Sequence, residues 1–413
     1  MLPAFLITIL VVLESIATPA ALSAQDAASI STEQQLIDRY APIAGLKTQT
    51  AECDSDGEPY IPAPIDVWSG DAQVALKQAE DGGSSSTDPV IIQGPTSADL
   101  YGLGEDYYLD FPGDPRDPEC DYERWSDSRM DGLQPTTYAH IKSNGLDQLA
   151  VQYWFFYVFN DFNNKHESDW EMMQLVWDVP TVDEALQTAP VEIALAQHGG
   201  GETAAWTDSK VQKDGDHVVF YAAAGSHASQ YGSAVYLGWG ENGTGFGCDT
   251  TTGPTTLVPL TALLLPDDIP SQGTEFDWLA YQGRWGERER GHYNGPTGPR
   301  MKAQWLSPFI WQEELRDSST EVPVSSTLGP GPTELFCSIS TFGSTLFTRL
   351  GTNPVAVIGF VAVLLSTVGA LYAVARKTIG EAWALYRRHW RTFGLIGLVL
   401  IPVGLIFNGF QYL

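Results

Sequence analysis

The segment Trp154-Phe-Phe-Tyr-Val-Phe-Asn-Asp161, followed after four residues by His166-Glu-Ser-Asp-Trp-Glu171, decides how the chain is read. Its aromatic and β-branched residues suit a pleated, buried surface, and polar turn residues close it after a strand's length. The pattern recurs along Ala150–Phe159, Asp169–Val179, Val191–Gln197, His217–Ala224 and Ala234–Gly238. Consecutive short strands with no regularly alternating helices predict a mainly β fold, an antiparallel β-sandwich with long loops, and argue against a doubly wound sheet. Upstream, 54–59, 81–89 and 111–120 are too rich in Gly, Pro, Ser and Asp for regular elements and read as loops. Thr255–Leu264 reads as a short helix.

Side chains alternate along a strand, so Asp169 and Glu171 share one face and Trp170 takes the other. His166 lies on the same run, and the short turn Phe162–Lys165 can bring Asp161 beside them. Asp161, His166, Asp169 and Glu171 are therefore the candidate metal ligands. Three carboxylates with one imidazole suit a hard divalent cation such as Ca or Mg. The flanking runs 154–159 and 172–179 are apolar on both faces, so carboxylates between them need a partner; the alternative is a solvated acidic face. His198, in Gln197-His-Gly-Gly-Gly201, and His227, in Gly225-Ser-His-Ala-Ser229, sit at predicted strand ends and are the candidate catalytic residues. Ser226 and His227 do not make a nucleophile–base pair, because strand neighbours point apart. The glycine run after His198 is not a phosphate loop, since no Gly-Lys-Ser/Thr follows.

Of 413 residues, 43% are hydrophobic and 11% aromatic, which is ample for a packed core. The net charge of -29, from 22 Lys+Arg against 51 Asp+Glu, repels phosphate backbones and excludes a nucleic-acid partner. Residues 1–24 have an apolar run followed by small residues, the order of a signal peptide. Residues 354–374 and 392–413 are uncharged runs long enough, at ~1.5 Å rise per residue, to cross a ~30 Å hydrocarbon core. Between them, 375–391 holds Arg376, Lys377, Arg387, Arg388 and Arg391, which the positive-inside rule places in the cytoplasm. The expected organisation is a signal peptide, an extracytoplasmic domain at 25–317, a Ser/Thr/Pro/Gly-rich stalk at 318–353 and a two-helix transmembrane hairpin. The protein is thus expected in the cell membrane with its large domain outside. Cys53, Cys120, Cys248 and Cys337 all fall on the exported side, where disulfides persist. Three pairings are open, of which Cys53–Cys120 with Cys248–Cys337 is preferred.

Tyr40-Ala-Pro42 with Glu58-Pro-Tyr-Ile-Pro62, Gln152-Tyr-Trp-Phe-Phe-Tyr157, His166-x-x-Asp-Trp-Glu171, Gly225-Ser-His-Ala-Ser229, and Gly283-x-Trp-Gly286 with Gly295-Pro-x-Gly-Pro299 occur in that order. In this the chain resembles the vacuolar protein sorting-associated protein 62 family, over roughly 40–311. That label implies no known reaction. The His-x-x-Asp-Trp-Glu core also resembles the Gly-His-Arg-His-Asp-Trp-Glu heptad of necrosis-inducing proteins of the NPP1 type. Those are secreted β-sandwiches whose matching His, Asp and Glu, with an upstream Asp, hold a divalent cation for binding sphingolipid glycans at plant membranes. The resemblance implies that role for His166, Asp169 and Glu171, with Asp161 as the upstream acid and His198 nearby. Lys165 replaces the leading Gly, and Glu167-Ser168 replaces Arg-His.

The expected function is a membrane-anchored, extracytoplasmic protein that binds a divalent cation and a surface ligand, a glycan or lipid headgroup. A metal-dependent hydrolase using His198 or His227 as general base, and a structural cell-envelope protein, are the alternatives.

Overall fold

The computed structural model describes residues 30–53, 57–80, 87–238, 247–288, 294–322, 335–340, 342–343, 354–392 and 394. The expected signal peptide at 1–24, most of the stalk at 318–353 and nearly all of the second apolar run at 392–413 lie outside them.

The two longest strands, Leu149–Asn160 and His166–Trp177, form one antiparallel hairpin whose register runs from Leu149 opposite Trp177 to Asn160 opposite His166. Asn160 Oδ1 accepts the Phe162 backbone N–H at 3.1 Å and starts the turn. Every position of both strands is buried, which explains the near-continuous apolar reading of the first strand and of 172–177 in the second. They occupy the middle of a six-stranded sheet, in the order Thr261–Leu264, Thr136–Ser143, Leu149–Asn160, His166–Trp177, Glu192–Gln197, Gly200–Ala205. A five-stranded sheet contains Lys213–Asp214, His217–Ala222, Ile43–Lys47 and Thr255–Pro259 in that order, with Ser229–Gln230 beside His217–Ala222.

The two sheets meet where Phe155 stacks on Phe220, with ring centroids 4.4 Å apart. Trp177 meets Tyr40 edge-on at 5.1 Å on this side. On the opposite face Phe156 and Trp170 pack against Trp278 and Trp285, all fully buried. Asp169 and Glu171 stand opposite Tyr157 and Phe155, so they belong to the face between the sheets, as alternation predicts.

The antiparallel sandwich is corrected to a mixed α/β fold. Ile43–Lys47 pairs parallel with His217–Ala222, and Thr261–Leu264 parallel with Thr136–Ser143. These partners are far apart in sequence, beyond the reach of turn-based reading. Helices Thr32–Arg39, Asp121–Met130 and Pro308–Glu313 contribute buried side chains; the first is capped by the Ser31 hydroxyl accepting the Gln34 N–H at 3.1 Å. Between the loops expected at 54–59, 81–89 and 111–120, Ala75–Gln78, Val90–Gln93 and Tyr107–Asp110 form a three-stranded sheet. The expected helix at Thr255–Leu264 is instead two strands meeting at Pro259–Leu260; its β-branched threonines favour strand, and Pro259 cannot continue a helix.

The transmembrane hairpin is corrected as well. Residues 354–388 form one unbroken helix of 35 residues, Pro354–Arg388, which runs through most of the segment expected as a cytoplasmic loop. That loop was inferred from charge, yet its sequence holds no proline and only Gly380 as a weak breaker. Among the described residues no helix is long and apolar enough to cross a membrane. The expected cell-membrane placement and integral membrane partner therefore lose their basis. Both preferred disulfides, Cys53–Cys120 and Cys248–Cys337, are present.

Candidate functional site

The turn that follows strand His217–Ala222 crosses the end of the central hairpin and delivers His227 between the sheets. His227 is fully buried and stacks on Tyr157, with ring centroids 3.9 Å apart and planes inclined by 6°. Its Nδ1 donates to Asp169 Oδ2 at 3.1 Å. Its Nε2 faces Glu58 Oε1 at 3.5 Å, an ion-pair distance outside good hydrogen-bond geometry. Asp169 also accepts the Asn160 amide at 3.3 Å and its neighbour's backbone N–H, from Trp170, at 2.8 Å. Burial alone would raise Asp169 and lower His227, but the pairing overrides both. The bond and charge of His227 hold Asp169 well below the carboxylate range. Burial lowers His227, yet Glu58 and Asp169 outweigh it and push the imidazole up to about 9.

A second pair lies beside the first. His198 donates its backbone N–H to Glu171 Oε1 at 3.3 Å, and its Nε2 lies 3.7 Å from Asp249 Oδ2. Asp249 accepts the Ser226 hydroxyl at 2.6 Å on its other oxygen. The carboxylate sits between serine and histidine, an order that does not activate the hydroxyl, so no Ser-His-Asp relay is formed. His198 is the rim residue, with 25% of its side chain exposed. Against the lowering effect of burial, Asp249 and then Glu171 push it up to about 9. Burial, followed by the charge of Asp169, pushes Glu171 up to about 8.

Ser168, His198 and His227 all have positive φ, at 52°, 61° and 55°. Such backbone costs roughly 1–3 kcal/mol per residue and collects at functional sites. Here all three strained residues border the same carboxylates. Gly225 supplies the fourth tight point, for a Cβ there would lie 2.8 Å from the Asp161 carbonyl.

The expected ligand set is thus only partly assembled. Asp169 and Glu171 share a face, and Asp169 and His166 are close enough to perturb one another. His166 Nδ1 bonds the Ser168 carbonyl at 2.8 Å, which fixes the proton there and leaves the Nε2 lone pair available; burial keeps the ring neutral by lowering its pKa. His166, Asp169 and Glu171 offer one imidazole and two carboxylates, donor types that suit a divalent cation, but their donor atoms do not all lie within 4.8 Å of one another. Asp161 departs from it, since its carboxylate pairs with Lys165 at 2.6 Å and is about one-third exposed. Lys302, whose ammonium bonds the Trp170 carbonyl, adds positive charge near Asp169 and Glu171.

The acidic groups of the described residues whose donor atoms do lie close enough to share a cation are elsewhere. Among the described residues, donor atoms of Asp110, Glu167 and Glu287 lie within 4.8 Å of one another, as do those of Glu52, Cys53 and Cys120. In the latter the thiols are consumed by the disulfide. In the former Glu167 already accepts the Tyr122 hydroxyl and the Phe111 and Glu287 N–H groups, while Lys77 pairs with Asp110 at 2.7 Å.

No family model matches the chain, and no curated protein matches it. The solved structures that it resembles include NLPPya in complex with glucosamine, at 14% identity and a TM-score of 0.33 over 68% of this chain and 90% of that one. The protein described as a toxin fold as basis for microbial attack and plant defense matches at 15% and 0.31, over 68% and 91%. The Necrosis and Ethylene inducing Protein 2 from the causal agent of cocoa's Witches Broom disease matches at 15% and 0.22, over 55% and 78%. Structural neighbours at low identity are therefore necrosis-inducing, toxin-fold proteins, superposed too loosely to transfer a function, and the resemblance to the vacuolar protein sorting-associated protein 62 family finds no support.

Proposed function

We propose that this protein binds a divalent cation, Ca or Mg, through His166 Nε2, Asp169 and Glu171, and uses it to hold a polar ligand, a glycan or lipid headgroup, against the rim formed by His198. The observation that carries this reading is the imidazole of His166, pinned through Nδ1 and close to the buried Asp169, which shares its strand face with Glu171. A bound cation would supply the counter-charge that Glu171 lacks and would offer open coordination positions to hydroxyl or phosphate oxygens. His227 and Asn160 orient Asp169, and the backbone N–H of His198 orients Glu171. Orientation of ligands by a second layer of hydrogen bonds is what metal centres require.

Thermal melting of the full chain with CaCl2, with MgCl2 and with EDTA tests the proposal. A cation-dependent rise in Tm that Glu171→Gln removes supports it. Identical curves in all three conditions would sink it.

A further inference from the structure

Glu58 was not singled out by the pattern of acids and histidines, yet its side chain is fully buried in the middle of the site. It reaches there from the loop after strand Ile43–Lys47, where its own N–H bonds the Lys47 carbonyl at 2.9 Å. Gly57 presses against the Gln49 backbone, so closely that a Cβ would lie 2.3 Å from its Cα. That contact fixes where the next side chain can go. Glu58 Oε2 accepts the Gly225 N–H at 2.7 Å, and Oε1 accepts the Tyr60 N–H at 2.9 Å. Oε1 also faces His227 Nε2 at 3.5 Å, and no other acceptor meets that nitrogen.

One carboxylate therefore performs two tasks. It ties down the 225–227 turn at its first residue, where φ of Gly225 is 78° and only glycine fits. It also faces Nε2 at 3.5 Å, so that the ring is held from both ends, with Nδ1 at the far end donating to Asp169. Remove that carboxylate and nothing holds the Nε2 end of the ring, which is then free to rotate away from Asp169.

We propose that Glu58 is a positioning residue of the cation centre, acting on Asp169 through His227. This rests on the cation-binding reading for its consequence, but not for its geometry. Outer residues of this kind change metal affinity by about 10–100-fold when lost.

The test combines two readouts on the full chain: long-range 1H–15N correlation of the His227 ring nitrogens at fixed pH, and calorimetric Ca affinity. Glu58→Gln, which preserves shape, is expected to change the His227 nitrogen shifts and to weaken Ca binding about tenfold. The double variant with His227→Gln is expected to bind Ca no more weakly than His227→Gln alone. Unchanged ring shifts in Glu58→Gln overturn the inference whether or not Ca binds. Additive losses in the double variant overturn it too. Should Glu58→Gln fail to fold, Glu58→Asp, which keeps the charge at shorter reach, replaces it: an unaltered His227 signature with Ca affinity lost contradicts the proposed route. Absence of Ca binding in the unmodified protein, with the ring shifts still altered by Glu58→Gln, rejects the cation reading alone.

Discussion

His227 Nδ1 and Asp169 Oδ2 lie 3.1 Å apart with the histidine fully buried, joining the turn after the second sheet's strand to the central strand of the first. Breaking a buried pair by deleting one partner leaves the other charge uncompensated and costs about 3–5 kcal/mol. His227→Ala strands both Asp169 and Glu58. Urea unfolding should show a loss of at least about 3 kcal/mol; a loss near that of an exposed histidine would mean the pair is not formed.

The pH dependence has a definite sign. Glu171 is pushed from 4.5 up to about 8, so the folded chain holds a proton the unfolded chain releases, and stability falls as pH rises between those values. His198 and His227, raised from 6.5 to about 9, contribute stability that is complete below 6.5 and is lost as pH rises through about 9. Asp169 acts at the acid end, its contribution present above 3.8 and lost as pH falls further. Without divalent cations, the urea midpoint should decline steadily from about pH 5 to pH 9. Glu171→Gln should flatten the lower part of that decline, and added Ca should oppose it most at high pH, where Glu171 is ionised.

Gly225 tests the turn itself. An alanine there meets the Asp161 carbonyl and must adopt φ of 78°, which together cost about 1–3 kcal/mol. Gly225→Ala should lower Tm and weaken Ca binding, since the turn carries His227. Gly215→Ala, at φ 64° with open space around its Cβ, is the control and should lower Tm while leaving Ca affinity intact.

Much of the central hairpin was legible because both faces are buried and aromatic. Asp169 and Glu171 share a face by simple alternation, and the strand-end histidines could be placed because glycine marks each turn. Glu58, Asp249 and Lys302 were not, for they lie 167, 23 and 132 positions from their partners Gly225, Ser226 and Trp170, and only tertiary packing brings them in. Asp161 turns toward Lys165 for a local reason. Its turn offers Lys165 four residues on, and an ion pair at the surface costs less than another buried carboxylate. The parallel strand pairs and the continuous helix Pro354–Arg388 escaped for want of a local signal that records distant pairing, or the absence of a turn.

The disulfides give a further check. Cys53–Cys120 and Cys248–Cys337 close loops with sequence separations of 67 and 89, and loss of such a bridge costs about 2–5 kcal/mol. The paired variant Cys53→Ser with Cys120→Ser should unfold at lower urea, and peptide mapping without reductant should recover both pairs.

Anomalous diffraction from crystals soaked in MnCl2 locates the cation. A single strong peak is expected between His166 Nε2, Asp169 and Glu171, with Asp161 still turned toward Lys165. A peak at Asp110, Glu167 and Glu287 instead, or none at His166, would contradict it.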